Sequence, residues 1–256
     1  MCLLVMAYQC HPEFPLIVAA NRDEFFSRPT AAADYWTDHP NVLAGRDLEQ
    51  GGTWMGVNKN GRFAALTNVR DPSSFRSSAK SRGHIVSRFL TGSDTPTDFL
   101  DNLASEADDY NGFNLIVRSN DLLTYFGSAT KKTVPIAPGI YGLSNDQLDT
   151  PWPKVVRAKK NLESTLRESS DMLEKRLFAL LSDDSLASDG ELPDTGVGLE
   201  KERWLSPIFI RAENYGTRCS TLLLAKHDGE IHYIERGVNA DSLRRFSFKA
   251  TTNATS

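Results

Sequence analysis

Cys2 directly follows the initiator methionine, so removal of Met1 would leave one residue bearing both a thiol and a free amine. A terminal amine titrates near ~8 and a thiol near ~8.5, so the two can exchange a proton and yield a reactive thiolate. This is N-terminal-nucleophile (Ntn) chemistry, with nucleophile and base in one residue. The competing reading makes Cys2 a small apolar residue opening a strand at 2–8. A second polar group, Asn21, Arg22, Asp23 and Glu24, follows the apolar run 16–20. Four consecutive polar residues leaving an apolar strand suggest a site at its end. There Arg22 and Asp23 would form a partly buried ion pair that orients the amine and depresses the thiol pKa, or would clamp a loop. Acyl transfer also needs donors aimed at a developing oxyanion, each worth about 3 kcal/mol. Asn68 and Asn145 either supply these or cap turns, and Arg218, at the start of a strand, either joins the site or pairs structurally with a carboxylate.

Length and composition bound the function. With 256 residues, 40% hydrophobic and 24% charged, the chain can bury a large core, read as a single domain over 1–250 with a frayed tail at 251–256. A net charge of -4 gives no electrostatic basis for nucleic acid or anionic membrane as a partner. Three cysteines, Cys2, Cys10 and Cys219, have no paired spacing, which argues for a reducing compartment and against a disulfide framework. No stretch has the pattern of a leader or the length of a bilayer span, so a cytoplasmic protein without an integral membrane segment is expected. His11, His39, His84, His227 and His232 lack metal-ligand spacing, and no metal is expected. Trp54 and Trp152 read as core or pocket wall.

Periodicity indicates the elements that must hold these residues. Runs at 2–8 and 16–20 flank a proline-bearing turn and make a β-hairpin. Runs at 53–57 and 63–67 flank Asn60 and Gly61, a pair that accepts the positive φ of a tight turn. Helical spacing follows at 83–90 and 96–107, the second opened by Thr95 and Pro96 as N-cap and first residue. Strands are expected at 113–117, 122–126 and 140–143. Helices at 154–166 and 171–181 carry Val155, Leu162, Leu166, Leu173, Leu177 and Leu180 on one face. Residues 182–196, with five acids and no Lys or Arg, read as a solvated loop. Strands at 219–225 and 230–235 around Asp228 and Gly229 complete a third hairpin. This order does not alternate strictly β then α, which disfavours a doubly wound parallel sheet. An α+β fold with mostly antiparallel sheets layered with helices fits better, and a four-layer αββα sandwich is one such arrangement.

Against this background a resemblance becomes specific. Asn21-Arg22-Asp23-Glu24, preceded by Met1-Cys2 and followed by Arg28-Pro29, resembles the opening of the NRDE family. Gly51-Gly52-Thr53-Trp54-Met55-Gly56, Leu66-Thr67-Asn68-Val69-Arg70, Ser81-Arg82-Gly83, Gly112-Phe113-Asn114, Tyr141-Gly142-Leu143-Ser144-Asn145 and Tyr215-Gly216-Thr217-Arg218 resemble further family segments in family order. The same segments are more remotely similar to choloylglycine hydrolases and related acyltransferases, which are cysteine Ntn enzymes. That likeness implies an Ntn-hydrolase-like αββα sandwich with Cys2 as nucleophile. It also implies Asn68 as the donor near the oxyanion, Asn145 as a second orienter and Arg218 as a late arginine of the site. Arg22 and Asp23 are not spaced as in those hydrolases.

The NRDE resemblance implies trafficking of a hydrophobic anionic cargo, haem or acyl-CoA, in a pocket floored by Cys2. No cofactor is required for this. Asn21, Glu24 and Trp54 would contribute, together with Arg70, Arg76, Lys80 and Arg82 from the basic segment 70–83. On a mobile loop those four cations could clamp haem propionates or a coenzyme A moiety, helped by the amides of a helix opening at Gly83, or could simply be solvated. Axial ligands for haem remain open among Cys2, Cys10, His11 and His84. The alternative is a cysteine Ntn amidohydrolase acting on linear amides, or an acyltransferase, that uses Cys2 after loss of Met1.

Overall fold

Strand-length apolar runs punctuated by turn residues assemble into two sheets stacked face to face. The computed structural model describes residues 2–120, 122–238 and 242–251, with the backbone alone for Cys2. The first sheet has six antiparallel strands, in the spatial order Gly139–Leu143 (β10), Cys2–Tyr8 (β1), Leu16–Phe25 (β2), Tyr215–Ala225 (β11), Glu230–Gly237 (β12) and Leu243–Lys249 (β13). The second has seven: Thr30–Tyr35 (β3), Val42–Asp47 (β4), Met55–Asn58 (β5), Phe63–Asn68 (β6), Phe113–Ser119 (β7), Leu122–Gly127 (β8) and Lys132–Pro135 (β9). Helices Gly83–Thr91 (α1) and Pro96–Glu106 (α2) cover the outer face of the second sheet, and Pro153–Thr165 (α3) and Ser170–Leu181 (α4) that of the first. A short helix, Leu199–Leu205 (α5), precedes β11.

The two-residue period of a strand explains the layering. Leu4, Met6, Val18 and Ala20 point between the sheets onto Met55, Val57, Phe63 and Tyr233. Their neighbours Leu3, Val5, Ile17 and Ala19 point the other way, onto Val155, Leu162, Leu173 and Leu177 of α3 and α4. A strand buried on both faces reads as an unbroken apolar run, as β1 and β2 do. A third apolar layer joins Phe113, Leu115 and Val117 to Phe89, Leu100 and Leu103 of α1 and α2. The architecture is therefore the four-layer αββα sandwich. Turn chemistry follows the sequence: Gly61 and Gly229 take φ of 77° and 87°, and the Asn58 carboxamide oxygen accepts from the N–H groups of Asn60 and Arg62.

Several elements depart from expectation. β2 runs on to Phe25, so Asn21, Arg22, Asp23 and Glu24 lie within the strand rather than leaving it. β3, β4, β9, β13 and α5 carry no periodic signal of their own. β3 is alanine-rich, and β13 is an edge strand whose Arg244, Arg245 and Lys249 suit its exposed border. The frayed tail expected at 251–256 lies outside the described residues except for Thr251, whose N–H donates to the Lys59 carbonyl at 2.9 Å. No helix among the described residues is long and apolar enough to cross a membrane.

Candidate functional site

Register brings the sequence-distant site residues to one end of the sandwich. The first pair of the β1–β2 ladder is Cys2 with Arg22, and the other neighbour of β2, β11, sets Thr217 opposite Asp23 and Cys219 opposite Arg22. The β2–β11 ladder slips between Thr217 and Cys219, so Arg218 is the extra residue of a bulge, which re-aims its side chain.

Strand alternation then separates Arg22 from Asp23. The ion pair expected between them does not form, because consecutive strand residues face opposite sides of a sheet. Arg22 faces the second sheet. Its guanidinium lies 4.2 Å above the Trp54 ring, donates to Thr30 Oγ1 at 3.1 Å, and stands 4.0 Å from the Glu24 carboxylate. Trp54 in turn lies on Gly45, where a Cβ would come within 2.4 Å of the indole. Beside it Gly52 packs against the backbone of Gly83, where a Cβ would meet the Gly83 carbonyl carbon at 2.5 Å. These glycines let the loop before β5 seat the tryptophan beneath Arg22.

Asp23 faces the helices and is 1% exposed. Thr217 Oγ1 donates to its Oδ1 at 2.7 Å. Burial pushes the carboxyl above its ordinary range, opposed by the nearby Lys154 ammonium, the N-terminal charge, the Thr217 hydrogen bond and Arg70. Lys154, in the first turn of α3, is 3% exposed and donates to the Leu205 carbonyl at 3.1 Å. Arg70 and Glu202 form a buried ion pair at 2.5 Å, with Arg70 stacked 4.8 Å over Trp152. Burial lowers the Arg70 pKa against the pull of Glu202. Asn21 shares this face, and its carboxamide is committed internally. Nδ2 donates to the Leu181 and Ile208 carbonyls, both at 2.8 Å, and Oδ1 accepts from Ser220 Oγ at 2.7 Å.

The two candidate oxyanion donors are not equivalent. Asn145 Nδ2 donates to the Asn68 carbonyl at 2.9 Å, so one of its two N–H groups is engaged. The Asn68 carboxamide makes no hydrogen bond among the described residues and lines the cleft. Arg218 holds the β2–β3 turn, donating from Nη1 to the carbonyls of Phe25 and Arg28 at 2.7 and 3.0 Å, where a carboxylate partner had been the structural expectation. Burial and the proximity of Arg22 lower its pKa.

The basic segment 70–83 is pinned, contrary to the mobile loop expected. Arg70 turns inward to Glu202. Asn111 exchanges two 2.8 Å hydrogen bonds with the Arg76 backbone, while the Arg76 guanidinium donates to the carbonyls of Asp108 and Tyr110. Lys80 pairs with Asp109 at 2.7 Å, and Arg82 donates to the Gly112 carbonyl at 3.0 Å. These anchors fix the segment as one wall of the cleft, and α1 does open at Gly83.

Between the walls lies a cavity of about 300 Å³ lined by Arg22, Glu24, Trp54, Asn68, Arg82 and Phe75, among others. Four exposed apolar side chains, Phe25, Phe26, Leu48 and Phe75, project from the three segments that frame it. A wider depression of about 1170 Å³ lies at the opposite end, among the strand turns, and there Cys10 and His11 are found. The axial-ligand candidates are thus divided between the two ends. Among the described residues, no group of three His, Cys, Asp or Glu side chains is placed to hold a metal ion.

Sequence reading missed Lys154, Glu202, Thr217 and Gly45. Only Lys154 carried a signal, as a cation in the first turn of a helix, where the macrodipole disfavours positive charge.

Comparison with known proteins agrees with this geometry. Two solved variants of a conjugated bile acid hydrolase from Clostridium perfringens superpose with TM-scores of 0.51 and 0.53 over 98% of both chains at 7% identity, which shows the shared Ntn-hydrolase-like fold. The Transport and Golgi organization protein 2 homolog of Bos taurus is 37% identical over 262 residues, and that of Homo sapiens 33% over 258, each alignment covering 93% of both chains. The family model Transport and Golgi organisation 2 matches residues 1–240, and the chain belongs to that family, the one its NRDE motif resembles.

Proposed function

We propose that the protein binds and carries a small hydrophobic anion, haem or acyl-CoA, in the cleft at the Cys2 end of the sandwich. One observation carries this reading. Arg22, seated on Trp54 and 4.0 Å from the Glu24 carboxylate, shares a cavity with Asn68, whose carboxamide makes no hydrogen bond among the described residues, and the exposed Phe75 lines it. A volume of about 300 Å³ is at the lower end for small-molecule sites. The anionic head group therefore enters, while the apolar body rests on the exposed Phe75 at its wall. A hydrogen bond to a charged group contributes about 2 kcal/mol, so Arg22→Met should weaken saturable binding of haem or palmitoyl-CoA roughly 30-fold, with Trp54→Ala acting in the same direction. Unchanged affinity in both variants refutes this placement.

A second reading is supported by the register. Cys2 opens β1 opposite Arg22, Asp23 lies next along β2 on the other face of the sheet, and the Asn68 carboxamide makes no hydrogen bond among the described residues, which supports a nucleophile, an orienting acid and an oxyanion donor at one end of the sandwich. In that case the processed protein hydrolyses or transfers the acyl group of a linear amide, and Cys2→Ala abolishes turnover without unfolding. Turnover retained in Cys2→Ala rules the reading out.

A further inference from the structure

Four buried charges lie behind the cleft, on the helix side of the first sheet: Asp23, Lys154, Arg70 and Glu202, none more than 9% exposed. Two positive and two negative groups cancel. Arg70 and Glu202 are in contact at 2.5 Å, and Glu202 also accepts from the N–H and hydroxyl of Thr195. Of the remaining two, the Lys154 ammonium lies close enough to Asp23 to oppose the effect of burial on its carboxyl. A buried ammonium costs much more than a buried amide unless a counter-charge accompanies it, and its place in the first turn of α3 adds an unfavourable dipole. The chain nevertheless keeps a lysine there, with its ammonium held on the Leu205 carbonyl at the end of α5.

We propose that Lys154 is a positioning residue of the Cys2 site, acting as the buried counter-ion that holds Asp23 as a carboxylate behind the start of β1. The groups bearing on Asp23 are Lys154 from α3, the N-terminal ammonium, Thr217 from β11 and Arg70 from the segment after β6, with Glu202 of α5 engaged by Arg70. Tyr215 donates to the Asp23 main-chain carbonyl. Burial already holds the Asp23 carboxyl above its ordinary range with these groups in place, and Lys154 is the strongest of those that oppose it, so loss of Lys154 raises its midpoint further. Lys154 would thereby act on Cys2 without touching it. This role rests on the Cys2-centred reading of the cleft.

The test uses full-length protein with carbon-13 label in its aspartates, comparing wild type, Lys154→Met, Asp23→Asn and the double variant. In wild type the Asp23 carboxyl resonance should report an ionised group at pH 7. In Lys154→Met its midpoint should rise and the group should be protonated. The pH profile of Cys2 alkylation, read by mass spectrometry, should shift alike in Lys154→Met and Asp23→Asn, with no further shift in the double variant. A lysine needed only for packing would lower the melting temperature and leave the Asp23 resonance and the Cys2 profile in place, which overturns the proposal. If Asp23 becomes protonated but neither single variant moves the Cys2 profile, the Cys2-centred reading fails instead, and the positioning role with it. Should Lys154→Met fold poorly, the neutral-pair double variant, which buries no lone charge, carries the alkylation comparison against Asp23→Asn.

Discussion

Replacement of Gly45 by alanine tests how the cleft is built. The new methyl would lie 2.4 Å from Cη2 and 2.5 Å from Cζ2 of Trp54, with the Ala31 carbonyl at 3.3 Å closing off one way of escape. Ordinary contact begins at 3.4 Å, so the indole must retreat by 1.0 Å (3.4 minus 2.4) or the strand must bend. Overpacking of this kind costs about 1–3 kcal/mol. For a chain of this size each kcal/mol lowers the melting temperature by roughly 2–4 °C, giving a fall of about 2–12 °C. Because Arg22 rests on the same ring at 4.2 Å, a cation–π contribution of about 0.5–2 kcal/mol should be lost together with cleft affinity. Calorimetry and ligand titration read both effects. Gly190→Ala is the control, since it meets nothing within 4 Å. If Gly45→Ala matches the control in stability, indole fluorescence and ligand affinity, then Trp54 is not seated as described and Arg22 is not held by it.

Three further outcomes follow from buried groups. Glu202→Gln or Arg70→Met alone should cost about 3–5 kcal/mol in denaturant unfolding by stranding its partner, and Arg70→Met with Glu202→Leu should recover most of that loss; equal losses in singles and double would contradict a pair. Glu235 is buried between the sheets, accepting from the Ala33 N–H at 2.7 Å, and burial pushes its carboxyl up despite that bond and its Cys219 and Arg244 neighbours. A raised acid penalises the fold when ionised, so Glu235→Gln should be stabilising at pH 8. The gain should shrink as the pH falls through the raised midpoint and vanish below the unfolded value near ~4.3, as chemical denaturation at several pH values would read. His11 is held neutral chiefly by burial against the pull of Glu13, with Nδ1 accepting from the N–H groups of Glu13 and Phe14. Its contribution is complete above the unfolded value of about 6.5 and is lost as the pH drops toward the lowered folded value. His11→Asn should therefore flatten the loss of stability below pH ~6.5, and an unaltered acid limb would assign that loss elsewhere.

The parts of the fold legible in the sequence were those written in one period. The doubly buried run of β1 and β2, the Asn60 and Gly61 turn, and the leucine faces of α3 and α4 each state their structure locally. β3, β9 and β13 do not: they are border strands, each paired only with its sequence neighbour, and none carries an unbroken apolar run. Among the site residues, Cys2, Arg22, Asn68 and Trp54 were visible as residue types in a polar or motif context. Their relation was not visible: whether Arg22 meets Asp23 depends on one step of strand phase. β2 continues through the polar residues instead of ending before them, which puts the two on opposite faces. Glu202 stayed hidden because its buried ion pair with Arg70 is defined by tertiary contact alone. Asn21 looked like a ligand group, yet its carboxamide ties β2 to the carbonyls of Leu181 and Ile208.

The most direct measurement is site-resolved cysteine alkylation, read by mass spectrometry, with and without saturating haem or palmitoyl-CoA. Cys10 is exposed at the opposite end of β1 and serves as the internal reference, while Cys219 is buried. Occupancy of the cleft should protect Cys2 saturably, with the same midpoint as the binding titration, and leave Cys10 unprotected. Protection of Cys10 in place of Cys2, or equal protection of both, would contradict a binding cleft at the Cys2 end of the sandwich.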